Sequence, residues 1–294
     1  MAQSPIIILN PAAGGGRAER RLTPLAKRLG AEVWHTSGPQ EGAKLALEAL
    51  ERSPSWLGVA GGDGTLHEVV AGLAQSDASV PVALLPVGSG NSFARDFGIT
   101  SLAKGAQALH AGRTAEADIF ALEHADGQLP FVNILSFGFS AEVAALTNAR
   151  FKAFGALGYA LGVSVELTRF KAQPIACTTA EGTRFGADPM TLVAFSNSRC
   201  TGGGMQMAPA ADACDGRIDL VEVRALSPLG LIRQFPGIYR GTHVNTPFVR
   251  TAQSARIDFD DQTTPTLIMV DGEVRTVVPH AIYPVGKFPV FTLN

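Results

Sequence analysis

Short apolar runs alternate with helical stretches through the first third of the chain. Residues 5–10, 32–35, 56–60 and 80–85 read as extended, and residues 17–29, 41–52 and 65–75 as helical. Such alternation predicts parallel strands joined by crossover helices, with ligand-binding loops at the carboxyl ends of the strands. Beyond about Glu116 the texture changes. Residues 118–123, 190–196, 218–223, 255–259 and 266–270 read as strands between turn residues, interrupted by helical candidates at 159–170 and 229–239. The pattern predicts an α/β domain over residues 1–115 and a β-rich domain over 116–294. The boundary near 113–116 has no long linker, so the two are expected to pack face to face around a cleft.

Composition narrows the class of protein. A 46% hydrophobic fraction over 294 residues supplies two cores, and a net charge of -2 gives no bulk electrostatic case for a nucleic-acid partner or a polybasic anchor. Any membrane contact is expected to be local. Cys177, Cys200 and Cys214 lack the spacing of a zinc site or a disulfide scaffold, which fits a reducing, cytoplasmic setting. Ile6-Ile7-Ile8-Leu9 has no preceding Lys or Arg and reads as a strand instead of a signal peptide. The uncharged segment 153–165 falls short of the roughly 18 apolar residues of a spanning helix.

The 32 glycines concentrate in short clusters, three of which follow predicted strands and precede predicted helices. The first is Asn10-Pro11-Ala12-Ala13-Gly14-Gly15-Gly16-Arg17, where small residues let backbone N–H groups approach an anion, or simply allow a tight turn. The second is Gly61-Gly62-Asp63-Gly64-Thr65. An acid beside a phosphate-binding turn repels a polyphosphate unless a divalent cation lies between them, so Asp63 points to magnesium; the same aspartate also suits a helix N-cap. The third runs from Pro86 through Gly88-Ser89-Gly90-Asn91 to Arg95, with Ser89 and Asn91 offering hydrogen bonds to phosphate oxygens or a substrate hydroxyl.

These three motifs, in this order and spacing, resemble the diacylglycerol kinase catalytic domain family, which includes bacterial lipid kinases and sphingosine kinases. The likeness continues through Thr201-Gly202-Gly203-Gly204-Met205, Ala208-Pro209, Asp215 to Leu220, and Val270-Asp271-Gly272-Glu273, so it covers nearly the whole chain. It implies an NAD-kinase-like α/β domain with a parallel sheet, a C-terminal β-sandwich domain onto whose partner the extreme C-terminus can pack back, and an active site in the cleft between them. It further implies ATP and Mg2+ as cofactors, a lipid as substrate, and a catalytic set of Asp63, Asp118 and Glu273. Asn10, Thr36, Gly61, Gly62, Gly64, Thr65, Ser89 and Asn91 would bind ATP. Asp215, with backbone carbonyls of Asp212 and Arg217, resembles the family's structural magnesium site.

Glu273 resembles the family's general base, although Asp271-Gly272 also suits a type I′ hairpin turn that leaves Glu273 exposed. Many bacterial members have Asn-Asp where this chain has Asn91-Ser92, so one acid of the catalytic network is replaced; sphingosine-kinase-like members often carry a small residue there. Within residues 151–170, Phe151, Phe154, Leu157, Tyr159, Leu161, Val163, Val165 and Leu167 stand with flanking Lys152, Arg169 and Lys171, a pattern for a lipid slot or for peripheral contact with the inner membrane face, and more commonly for core packing. The sequence leaves a homodimer open. The competing readings are an NAD kinase, which shares the Asp63 turn, and a lipid- or nucleotide-binding regulator that has lost catalysis.

Overall fold

The computed structural model describes residues 3–76, 78–88, 90–151, 162, 165–167, 169–260 and 263–294. Ser89 and most of the 151–170 stretch therefore lie outside the described residues.

Strands β1 (Ile6–Leu9), β2 (Glu32–His35), β3 (Leu57–Gly61) and β4 (Val82–Pro86) pair in parallel in the order β2-β1-β3-β4. Their continuous apolar runs follow from burial on both faces. Ile6 and Ile8 join Leu66, Val69 and Val70 in one core, while Ile7 and Leu9 join Leu22 and Leu25 in another. The covering segments are the short turn α1 (Ala13–Gly16), then α2 (Ala18–Leu29), α3 (Glu41–Glu51), α4 (Asp63–Leu73), α5 (Ser92–Asp96) and α6 (Leu102–Ala111). Helix α4 begins two residues before the expected start at Thr65. Gly62 is extended, and Asp63 and Gly64 already form the first turn.

The antiparallel part has two layers. Six strands, β12 (Val249–Ser254), β11 (Ile218–Arg224), β10 (Met190–Ser196), β7 (Ile134–Gly138), β14 (Thr266–Val270) and β15 (Glu273–Val277), form one sheet in that order. Facing it are β5 (Thr114–His124), β6 (Gly127–Phe131), β8 (Cys177–Thr179), β9 (Arg184–Phe185), β13 (Ile257–Phe259) and β16 (Pro279–Phe291). Phe120 and Phe131 from one layer and Phe137 and Phe195 from the other meet in a single core with Phe259 and Ile282. Phe195 sits edge-on to Phe137, with ring centroids 6.1 Å apart, and to Phe259 at 5.5 Å.

Strand β16 was not expected from the sequence. Pro279, Pro284, Pro289 and Gly286 conceal it, since prolines are admitted to strands only at edges, starts and bulges. It runs antiparallel to β5 with register shifts at 279/281 and 284/286, and Val290 pairs in parallel with Val82 of β4. The parallel sheet thus continues through β16 into the antiparallel strands, making one sheet of ten. Helices α7 (Phe139–Leu146) and α8 (Pro228–Ile238) lie outside these layers. Among the described residues no helix is long and apolar enough to cross a membrane.

Phe195 packs against aromatic rings from two strands, and Phe195→Ala leaves a cavity between the layers. Urea titration is expected to show a loss of about 3–5 kcal/mol in unfolding free energy.

Candidate active site

The three glycine turns lie at the carboxyl ends of adjacent strands and interlock. Gly61 accepts N–H bonds from Val87 and Gly88 (3.2 and 3.0 Å), and a methyl on Gly61 would stand 2.2 Å from Thr65 Oγ1. A methyl on Gly88 would stand 2.8 Å from the backbone of Gly62, and one on Gly14, whose φ is 60°, would meet the Val87 carbonyl at 2.4 Å. Only glycine lets the backbones approach this closely. Gly15 and Gly64 instead face open space, with nothing within 4 Å of an added methyl. Asn10 ties the first turn to the second: its amide donates to Thr65 Oγ1 at 3.3 Å and its oxygen accepts from the N–H of Ala12.

Asp63 reaches the third turn. Its carboxylate accepts the N–H groups of Ser92 (2.8 and 2.9 Å) and Phe93 (3.2 Å). It caps α5 from another element instead of capping its own helix. Burial raises the Asp63 pKa, the bonds from Ser92 and Phe93 oppose that rise, and the nearby charge of Asp271 adds to it. Ser92 is 1% exposed and directly against Asp63, so a carboxylate in its place would crowd two acids together.

The Asp271-Gly272 turn is the two-residue hairpin that its sequence suggested, with φ of 47° and 94°, and it also belongs to the cleft. Asp271 is buried. Its carboxylate accepts the N–H groups of Val132 (3.0 Å), Asn133 (3.0 Å) and Ile134 (2.8 Å), and it meets His67 Nδ1 at 3.1 Å. His67 belongs to α4, so this contact joins the two halves of the molecule. Burial disfavours the charged imidazole, but the hydrogen bond to Asp271 and the charges of Asp271, Glu273 and Glu68 prevail and raise the His67 pKa. Glu273 follows at the start of β15, where Arg275 donates to its Oε2 at 2.6 Å.

These groups line a cleft of about 940 Å³. Of the residues expected at the site, Asn10, Gly62, Asp63, Gly64, Thr65 and Glu273 line it. Gly61 and Asn91 line a small indentation next to it, where Asn91 donates to the Gly88 carbonyl at 3.0 Å and closes the third turn. Thr36 is buried behind the sheet edge, with its N–H on Leu9. Asp118 is fully buried away from the cleft: Oδ2 accepts the Gly216 N–H at 2.7 Å and Oδ1 meets Lys287 Nζ at 2.8 Å. It sits beside the loop of Asp212, Asp215 and Arg217, in which Asp215 accepts from the N–H of Arg217 and from Gln253. Just past that loop, in β11, Asp219 is pushed up to about 6, by burial first and then by the charges of Asp215 and Asp212.

Two features escaped the sequence reading. His67 was expected only to lie on a helix, and nothing in its own surroundings announced a partner 204 positions away. The second is the far lobe of the cleft, lined by Leu192, Met205, Met207, Val223, Phe235 and Met269. Helix α8 contributes to its lining, and the 151–170 stretch that the sequence also offered for a lipid slot lies mostly outside the described residues. The signal was present in Leu231, Phe235 and Ile238, spaced for one helix face.

The donor set also bears on a cation. The cleft presents Asp63, Glu68, Asp271 and Glu273 and no Lys or Arg among its described lining residues. Backbone N–H groups alone would face a polyphosphate against four acids, so the residues present fit a divalent cation held at Asp63. Among the described residues no three His, Cys, Asp or Glu side chains gather to hold a metal by themselves. A cation here would share its coordination with ligand oxygens.

Two predictions test this geometry. Because the His67 pKa is raised on folding, its stabilising contribution is full below about pH 6.5 and is lost as pH rises through the folded value. The melting-temperature gap between wild type and His67→Ala should therefore be wider at pH 6 than at pH 8.5. Gly88→Ala should cost about 1–3 kcal/mol through overpacking, while Gly64→Ala, with free space around it, should leave urea stability unchanged or improved.

Comparisons with known proteins bear on the family and the fold. The diacylglycerol kinase catalytic domain matches residues 4–122, and the YegS C-terminal NAD kinase beta sandwich-like domain matches residues 133–287. A diacylglycerol kinase of Mycobacterium tuberculosis (strain ATCC 25618 / H37Rv) is 28% identical over 258 residues, covering 85% of this chain and 82% of that protein. A crystal structure of a diacylglycerol kinase from Bacillus anthracis str. Sterne shares the fold, with a TM-score of 0.71 at 18% identity, covering 99% of this chain and 97% of that one. An NAD kinase from Archaeoglobus fulgidus, solved in complex with ATP, is more distant, with a TM-score of 0.52 at 11% identity over 98% of this chain and 93% of that one. With a catalytic-domain match over its first part and a sandwich-domain match over more than half its length, the chain belongs to the diacylglycerol kinase family of lipid kinases.

Proposed function

We propose that the protein transfers the γ-phosphoryl group of ATP to the hydroxyl of a lipid of diacylglycerol-like or sphingoid-like chemistry. One observation carries this reading: a single cleft joins a glycine-turn floor bearing Asp63 to an apolar lobe, and Glu273 lines the same cleft. The turns supply N–H groups for phosphate oxygens, and the lobe suits the acyl or alkyl part of the acceptor.

Asp63 would hold magnesium, which when bound neutralises charge developing on the transferring phosphoryl group. Arg275 occupies Oε2 of Glu273, which leaves Oε1 to accept the proton of the acceptor hydroxyl. The lipid oxygen bonds to the γ-phosphorus as the bond from that phosphorus to its bridging oxygen breaks, and ADP leaves with the electron pair. Asp271 takes no proton in this scheme. Its bonds to residues 132–134 fix the turn from which Glu273 extends. The loop around Asp215 would hold a structural magnesium ion, beside a carboxylate that shares the Gln253 amide with Asp219.

Labelled ATP offered with a panel of lipids in detergent micelles tests the reading. Wild type should label at least one lipid in a magnesium-dependent way. Glu273→Gln should lower kcat about 10²–10⁴-fold with ATP affinity retained, and Asp63→Asn should abolish turnover. An unlabelled panel, or phosphorylation of NAD in its place, would refute it.

A further inference from the structure

Helix α8 does two things at once. Leu231, Phe235 and Ile238 turn toward the cleft, while Leu229 and Ile232 stand 67% and 55% exposed on another face. No residue of the helix is buried. A helix apolar on two faces and covered on one is unusual for a surface element.

Charge indicates what meets the open face. Residues 224–257 contain five arginines and no Asp or Glu, in a chain whose net charge is -2. Arg250 and Arg256 are paired with Glu222 and Asp258. Arg224, Arg233 and Arg240 are exposed and have no carboxylate partner among the described residues. Exposed apolar side chains flanked by unpaired arginines match a surface that is apolar inside and negatively charged at its edge. A second copy of the chain fits less well, because a two-fold contact would set these arginines against their own counterparts.

We propose that α8 and the arginines around it are the surface on which the protein docks onto anionic phospholipid bilayers, with Leu229 and Ile232 entering the interface. The choice of a bilayer rests on the lipid-acceptor reading: Phe235 and Ile238 line the apolar lobe directly beneath this face, so a docked α8 would bring the lobe to the membrane from which the acceptor leaves.

Vesicle co-sedimentation tests the surface without reference to turnover. Wild type should sediment with phosphatidylcholine vesicles containing phosphatidylglycerol, release with added salt, and remain in solution with phosphatidylcholine alone. Leu229→Glu with Ile232→Glu should abolish sedimentation, and Arg233→Gln with Arg240→Gln should weaken it roughly fivefold per arginine. All four side chains are solvent-exposed and none lines the cleft, so circular dichroism and turnover of a lipid in detergent micelles should stay at the wild-type level. Equal binding to neutral and anionic vesicles, or unchanged binding by the Leu229/Ile232 variant, would overturn the proposal. So would a dimer of the wild type in solution that the Leu229/Ile232 pair of substitutions converts to monomer. If no lipid is phosphorylated in micelles while the vesicle pattern holds, the kinase reading falls and the docking surface stands.

Discussion

A carboxylate withdrawn from water must have its oxygens occupied by donors, and the donors chosen by Asp271 come from both halves of the molecule. Three are consecutive backbone N–H groups at residues 132–134, just ahead of and opening β7; the fourth is His67 on α4. Hydrogen bonds to a charged group are worth about 1.5–3 kcal/mol each, against about 1–2 kcal/mol for the left-handed backbone that Asp271 adopts. The bonds prevail, so the hairpin is held in a conformation that its local sequence only tolerates. Glu273 is two residues away and Asp63 opens the same helix as His67. The separation of the two acids on which the proposed chemistry depends is thus set by Asp271.

The glycines answer a different constraint. Turns from three neighbouring strands converge on one edge of the sheet, and side chains would keep them apart. Gly14, Gly62 and Gly88 are the positions at which one turn rests on the backbone of another, and Gly61 is the one at which Thr65 closes back over its own turn. The result is a floor of N–H groups whose described cleft lining contains no Lys or Arg, with Arg21 reaching it only from behind through the Val87 carbonyl. The four acids of the lining, Asp63, Glu68, Asp271 and Glu273, give this floor a negative surround.

Legibility followed the range of the interactions. The parallel strands and their helices could be read because continuous apolar runs and amphipathic spacing are local properties. The three glycine motifs were equally plain. Strand β16 was hidden because its prolines argue against a strand, and only pairing with β5 along its length outweighs them. The hairpin reading and the active-site reading of Asp271-Gly272-Glu273 looked like alternatives in the sequence, and the fold forms the hairpin while leaving its residues on the wall of the cleft. His67 was invisible as a partner of Asp271 since no local pattern reports a contact between residues this far apart. Asp118 shows the reverse case: its motif context pointed to the catalytic network, while its side chain is engaged by Lys287 and Gly216 beside the Asp215 loop.

The placement of β16 bears on how the chain is made. Strand β4 has one long neighbour in β3 and finds its other only at Val290, more than two hundred residues downstream. During synthesis the parallel sheet therefore waits with an open edge while the whole sandwich emerges from the ribosome. Contacts of such sequence separation close late, because the entropy of the intervening loop must be overcome first. The parallel-sheet half is thus not an autonomous module that could be cut out at its apparent boundary. Its sheet is finished by a strand that follows the whole sandwich in sequence.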